Sequence, residues 1–305
     1  METNRLLNPR TCQAIDQRVE KLLKDLGNPE PPLRMTDVRE FLKLDLGYYT
    51  SNDDSWIREK IHQMKVAGKN VIERATTILT VVKSLGLKAV LLAERRRILL
   101  DNEVPKPKHR WNEAHEITHD VLPWHDGIAH GDPETTLSQA CHAQIEAEAN
   151  YGAGRLLFLG KQFEEVLRCS PCNFELVQEL HADYGNTMTT TLWRVVELSL
   201  DAAFGVISKH PRTVSGAHAG DIRYFVRSPK FEAEFSKVKV RQLFDSIRAK
   251  CFGRRGPIGH GEFEIIDDRG DKHEFCFETF FNGHDALSLG HCGKGRAGKI
   301  ILARR

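Results

Sequence analysis

Residues 110–120 read Arg-Trp-Asn-Glu-Ala-His-Glu-Ile-Thr-His-Asp and contain His115-Glu116-Ile117-Thr118-His119, an H-E-x-x-H. This spacing has chemical meaning only on a helix. There the two histidines stand one turn apart, about 6 Å along the axis. Both imidazoles leave one face and can meet one metal ion. Glu116 sits beside them, where it can act as general base on the water such an ion activates. Neutral imidazoles leave Zn²⁺ its positive charge, and that charge acidifies the water towards neutrality. Ala114, Ile117, Val121 and Leu122 supply the apolar residues of a buried helix. Pro105 and Pro107 set where it can begin.

Two histidines do not hold a hydrolytic zinc. A third ligand is needed, with one position left for water. The next helix, expected over 137–159, can provide it. Ala140, Ile145, Ala149, Ala153 and Leu156-Leu157 recur there at helical spacing. Glu146 and Glu148 both fall in this helix, two residues apart, so at most one of them reaches the metal. His142, four residues before Glu146, shares its face and is the rival ligand.

These residues carry a resemblance. Arg110-Trp111, Ala114-His115-Glu116-x-x-His119, Glu146-x-x-Ala149-Asn150 and the paired Leu156-Leu157 resemble the ImmA/IrrE family of zinc metallopeptidases. The likeness covers about residues 60–210 and is concentrated in 110–157. It implies a zincin-like peptidase core with Zn²⁺ as cofactor, Glu146 as third ligand and Glu148 as a neighbour. It also implies a protein substrate, since members cut a helix-turn-helix transcriptional repressor and so relieve its genes. Two departures stand out. Gly152 occupies a position where the family usually has an aromatic residue, and Phe158-Leu159 replaces its usual Met-Pro. Both touch packing, not ligands.

Length and composition bound the rest. At 305 residues the chain can hold two domains or one with an appendage. Its 40% hydrophobic and 28% charged content is ordinary for a soluble globular protein. No apolar run approaches the roughly 20 residues that span a membrane, and the N-terminus lacks a signal-peptide core. A cytoplasmic location is expected, with no membrane partner. A net charge of +2 is too small to argue for nucleic acid. Seven cysteines, an odd number, are expected to be reduced thiols. Cys169-Ser170-Pro171-Cys172 has no matching second pair for a structural zinc and reads as an inter-helix turn.

In chain order, Ile15, Val19, Leu22, Leu23 and Leu26 predict an amphipathic helix over 10–26. A short helix is expected from Thr36 to Leu44, a turn-rich stretch over 47–55 and a longer helix over about 56–84. Residues 88–93 and 97–101 read as a hairpin leading into the H-E-x-x-H helix. A substrate peptide could add to its edge as one more strand. The loop 120–136 holds His125 and His130, either of which could donate to the oxyanion of a tetrahedral intermediate.

Residues 174–200 read helix, turn, helix, with Gly185-Asn186 as the turn and Thr187 as cap. A DNA-binding unit would need basic groups on its second helix, and only Arg194 is present. The pair is therefore read as a packing unit supporting the peptidase core, and direct nucleic-acid binding is not expected. From Ile207 onward, glycines and short aromatic or β-branched runs predict a separate α+β region. Cys276, His284, His291 and Cys292 there match no usual zinc-finger spacing.

The reading is an α+β chain of three parts. Residues 1–165 form a helical extension plus the zincin-like core, with its motifs in 85–160. Residues 166–206 form a helix-turn-helix-like unit. Residues 207–305 form a regulatory, targeting or sensor-like domain. Tyr224 and His210 are the residues of that domain that could reach back as general acids. The expected activity is zinc-dependent endopeptidase, with His115, His119 and Glu146 on the metal and Glu116 as base. The alternatives are a DNA-binding regulator with a structural zinc and a non-catalytic interaction protein on a peptidase fold.

Overall fold

The computed structural model describes residues 2–49, 89–92, 96–125, 139–213 and 221–293. The chain is α+β and divides into two compact units. The first is Leu7–Lys161; the second joins Met1–Leu6 to Gln162–Arg305. Among the described residues no helix is long and apolar enough to cross a membrane. The helix expected over 56–84 lies outside the described residues, as does His130.

In the first unit, helix α1 (Pro9–Asp25) follows from its ends and its stripe. The Asn8 side chain accepts from the Thr11 amide at 2.9 Å, and Pro9 opens the first turn. Ile15, Val19, Leu22 and Leu23 are buried, each worth about 1.5–3 kcal/mol of transfer free energy. Gly27 and Asn28, at φ of 83° and 54°, turn the chain out of the helix. Helix α2 (Met35–Leu42) ends at Lys43 in the left-handed region.

Strands β2 (Asp45–Tyr49), β3 (Ala89–Leu92) and β4 (Arg97–Asp101) form a sheet in the order β2-β4-β3. β3 and β4 are the expected antiparallel hairpin. β2 corrects an expectation: residues 47–49 are not turn but strand, parallel to β4. Their ladder partner lies about 50 residues downstream, so no local pattern announced it. Ile98 and Leu100 of β4 are buried, and helix α3 (Lys106–Val121) packs on this hairpin.

Helix α4 (Gln139–Leu157) packs against α1 and α3. Small residues make the approach to α3 close. A Cβ on Gly152 would stand 2.3 Å from Cγ2 of Thr118 and 3.3 Å from Cγ2 of Ile15. The aromatic residue expected after Asn150 has no room here, which accounts for that departure. Phe158 and Leu159, the other departure, are both buried. Arg155 is buried too; its Nε lies 2.7 Å from Asp16 Oδ1 on α1.

The second unit is built on a sheet in the order β1-β6-β5-β9-β8-β7. Its strands are β1 (Glu2–Thr3), β5 (Ala203–Ser208), β6 (Ile222–Arg227), β7 (Gly256–Ile266), β8 (Lys272–Phe281) and β9 (Ala286–Cys292). All neighbours are antiparallel except β1 and β6. Its α-helices among the described residues are α5 (Lys161–Cys169), α6 (Phe174–Tyr184), α7 (Met188–Glu197), α8 (Pro229–Glu234) and α9 (Val240–Ala249). Every position of β5 is buried. Phe204 and Val206 enter a core with Phe231, Phe235, Phe244 and Phe275. Gly205, on the other face, lies against Val196 and Leu192 of α7.

This division departs from the expected domain bounds in three places. Residues 166–206 are not a unit of their own: α6 and α7 cover the second unit's sheet. Phe174 stacks on Phe280 at 5.2 Å, and its amide donates to Glu278 at 2.6 Å. The C-terminal unit also starts earlier than residue 207. Ala203-Phe204-Gly205-Val206 continues the apolar texture of the helix before it, which hid the start of β5. Residues 1–6 do not belong with the first unit either. β1 pairs with β6, and Asn4 extends the ladder by exchanging two hydrogen bonds of 2.9 Å with the Arg227 backbone.

Candidate metal centre

Helix α3 presents His115 and His119 one turn apart, and the site grows from that pair. Their Nε2 atoms are 3.2 Å apart, with the rings edge-on at 4.9 Å. Glu146, on α4, lies 3.3 Å from His115 Nε2 through Oε2 and 3.8 Å from His119 Nε2 through Oε1. The close crossing of α3 and α4 at Thr118 and Gly152 brings that carboxylate to the histidines.

This is the one group of three potential ligands among the described residues, all three donor atoms within 4.8 Å of one another. Donor atoms held about 2.1 Å from one ion in a tetrahedron stand about 3.4 Å apart. The observed spacings bracket that value, so the residues present fit a metal ion. The donor set, two imidazoles and a carboxylate, is the one a catalytic zinc uses while keeping a position open. The Glu146 side chain is 42% exposed, so solvent reaches the group. Among the described residues Cys169, Cys172, Cys276, His284, His291 and Cys292 join no such group.

The far sides of the imidazoles are also occupied. His115 Nδ1 lies 3.1 Å from Asn150 Oδ1. His119 Nδ1 lies 2.9 Å from Nδ1 of His125, whose Nε2 lies 3.2 Å from Glu148 Oε2. That same oxygen accepts the Trp124 indole N–H at 2.7 Å, and Oε1 accepts from Gln144 at 2.8 Å. Glu148 and His125 are 8% and 5% exposed.

Burial pulls the His115 imidazole down, but the Glu146 hydrogen bond and the charges of Glu116 and Glu146 outweigh it, and its pKa ends above the ordinary value. Burial dominates at His125 and lowers its pKa despite Glu148. At Glu148 burial works upward, yet the hydrogen bonds from Gln144, Trp124 and His125 prevail and hold it ionised below the usual carboxylate range. Glu116, between the two histidines in sequence, is 8% exposed.

The sequence-predicted residues divide as follows. His115, His119 and Glu146 come together, with Glu116 on the same helix. His125 stands behind His119, both ring nitrogens engaged. The side chain of His142 lies outside the described residues. Tyr224 and His210 pack inside the second unit, Tyr224 edge-on to Trp193 at 5.6 Å and His210 edge-on to Phe281 at 4.7 Å. Asn150, Trp124 and Gln144 carried no assigned role in the sequence reading. Asn150 was findable: it is four residues after Glu146 and so shares its helix face.

Two other motifs can now be placed. Cys169 and Cys172 are free thiols, and burial beside Asp201 and Glu278 pushes Cys172 up to about 12. A thiol that stays protonated at neutral pH is a poor redox nucleophile. In the helix-turn-helix-like pair, Arg194 is 2% exposed and paired to Glu197 at 2.6 Å, so it offers nothing to a phosphate.

No family model matches this chain, and no curated protein matches it in sequence. Among solved structures it is similar to a Mycobacterium tuberculosis transcriptional regulator, at 11% identity and a TM-score of 0.49. That alignment covers 92% of this chain and 88% of the other. A likeness this shallow carries no argument about activity.

Proposed function

We propose that the chain is a zinc-dependent endopeptidase of the ImmA/IrrE kind, acting on a protein substrate. One observation carries the reading: two imidazole Nε2 atoms and a carboxylate, from two tightly crossed helices, stand at ligand spacing with a buried glutamate between the histidines in sequence. His115, His119 and Glu146 would hold the ion. Zn²⁺ bound there supplies a Lewis acid that polarises a scissile carbonyl and lowers the pKa of water. Glu116 takes the proton from the attacking water on its carboxylate and returns it to the leaving amine nitrogen. Its burial strengthens that proton's interaction with the carboxylate.

The substrate class follows from the family resemblance: a helix-turn-helix transcriptional repressor, whose cleavage relieves its genes. Every residue given a chemical role lies in Leu7–Lys161. The second unit then regulates or targets the peptidase. The decisive experiment incubates the purified chain with candidate repressors, with and without a chelator, beside Glu116→Gln. Cleavage that stops with the chelator and falls about 10²–10⁴-fold in a zinc-loaded Glu116→Gln supports the reading. Near-normal cleavage by that variant removes Glu116 from the mechanism. A zinc-dependent gel shift without proteolysis would favour the DNA-binding alternative instead.

A further inference from the structure

The two histidines are held from behind by unlike partners. His115 faces an amide oxygen, Asn150 Oδ1, so its Nδ1 carries a proton. His119 faces a second imidazole. A nitrogen-to-nitrogen contact of 2.9 Å requires one donor and one acceptor. Which is which is decided one residue further on. The Trp124 indole nitrogen can only donate, and it donates to Glu148 Oε2. That carboxylate oxygen is therefore an acceptor, and His125 Nε2 must donate to it. His125 Nδ1 is then a lone pair, and the proton in the contact belongs to His119 Nδ1. The remaining atom, His119 Nε2, is then an acceptor, and it faces His115 Nε2 and Glu146.

We infer that Glu148 and His125 are positioning residues that fix His119 as its Nδ1–H tautomer and so aim its Nε2 lone pair at the metal position. The inference rests on the metal-site reading for its purpose, but the proton it places belongs to the metal-free chain. Carboxylates behind a ligating histidine fix its ring and raise its basicity. Here the carboxylate acts through a second ring. Glu148 is itself pinned by Gln144 at its other oxygen, which leaves the chain Glu148–His125–His119 little freedom to rotate. This gives Glu148 a task that proximity to Glu146 alone does not.

The test reads the tautomer and the metal separately. Long-range ¹H–¹⁵N spectra of the metal-free protein report which nitrogen of His119 carries the proton. Zinc affinity comes from competition with a chromophoric chelator. In the wild type His119 is expected as Nδ1–H. In His125→Phe, which keeps a ring but has no acceptor, it reverts to Nε2–H, the form free imidazole side chains prefer in water. Zinc binding weakens there by about 10–100-fold at unchanged stoichiometry. His125→Asn, which offers an amide oxygen, restores Nδ1–H and most of the affinity. Glu148→Gln, with packing unchanged, loses about tenfold and serves if His125→Phe fails to fold.

An Nε2–H pattern in the wild type overturns the inference. So does a His119 tautomer and zinc affinity unmoved in the His125 and Glu148 variants, and that result leaves the metal site standing. A wild type that shows Nδ1–H but binds no zinc supports the relay and overturns the metal-site reading instead.

Discussion

The crossing of α3 and α4 and the sheet of the second unit are both densely packed, but with different materials. At the crossing Gly152 meets Thr118, the small residues Ala114, Ala149 and Ala153 of the two helices are fully buried, and on its α1 side α4 sets Arg155 against Asp16. In the sheet, Phe204, Phe231, Phe235 and Phe275 interlock with centroids 5.2–6.0 Å apart. An aromatic core resists by volume: it buries much apolar surface and tolerates small shifts. A small-residue crossing resists by distance. It sets where Glu146 stands relative to two histidines, and an error of a methyl group displaces a ligand. The contrast teaches which region is built for stability and which for placement.

The aromatic side should yield most to truncation. Phe275 is fully buried and touches three other phenylalanines. Phe275→Ala is expected to cost about 3–5 kcal/mol in chemical denaturation, with zinc stoichiometry kept, since no ligand lies in that unit. A cost under 1 kcal/mol would mean the cluster is not the core it looks like.

The polar side should break by charge. Asp16→Ala takes the nearer carboxylate from the Arg155 guanidinium, 2% exposed in its side chain, leaves it Glu20 at 3.6 Å, and is expected to cost about 1.5–3 kcal/mol. Replacing both residues with apolar groups of matching shape should recover much of this, and a double-mutant cycle measures it. Additivity of the two single changes would show that the pair does not interact.

Gly152→Ala sharpens the comparison further. One methyl group at 2.3 Å from Thr118 is expected to cost about 1–3 kcal/mol and also to weaken zinc binding, because α4 carries Glu146. Thr118→Ala, which removes the opposing methyl, should relieve the double mutant. Unchanged zinc affinity in Gly152→Ala would separate the crossing from the site.

The smallest effect is a pH dependence of defined sign. The folded pKa of His115 is raised above the ordinary 6.5. In metal-free protein its protonation therefore adds stability that is fully present below about 6.5 and is lost as pH rises through the raised value. Zinc competes with that proton, so its uptake runs the other way: weak at low pH, complete only above the raised value. Thermal melts of metal-free and zinc-loaded protein across pH 5–9 should show the two opposite slopes.

Legibility followed the range of the interactions. His115 and His119 were readable because four residues on a helix is a local geometry, and α1, α3, α4, α6, α7 and the β3–β4 hairpin were likewise local patterns. Glu146 was narrowed from the residues to one of three groups, and only the resemblance chose it; the helix crossing that brings it to α3 depends on Gly152 meeting Thr118, 34 residues away in sequence. The pairing of β1 with β6 spans over 200 residues and left no local trace. β5 was hidden because a strand buried on both faces has no alternation. His125 was noted for its nearness to the cleft, but its partner Glu148 required the fold.

The claim that α3 and α4 build a metal centre is tested most directly by metal analysis of the purified chain beside His115→Ala and Glu146→Ala. The account predicts one zinc per chain in the wild type, and its loss to well below stoichiometric in each variant while far-UV circular dichroism stays unchanged. Stoichiometric zinc retained in both folded variants, or none in the wild type after reconstitution, would contradict it.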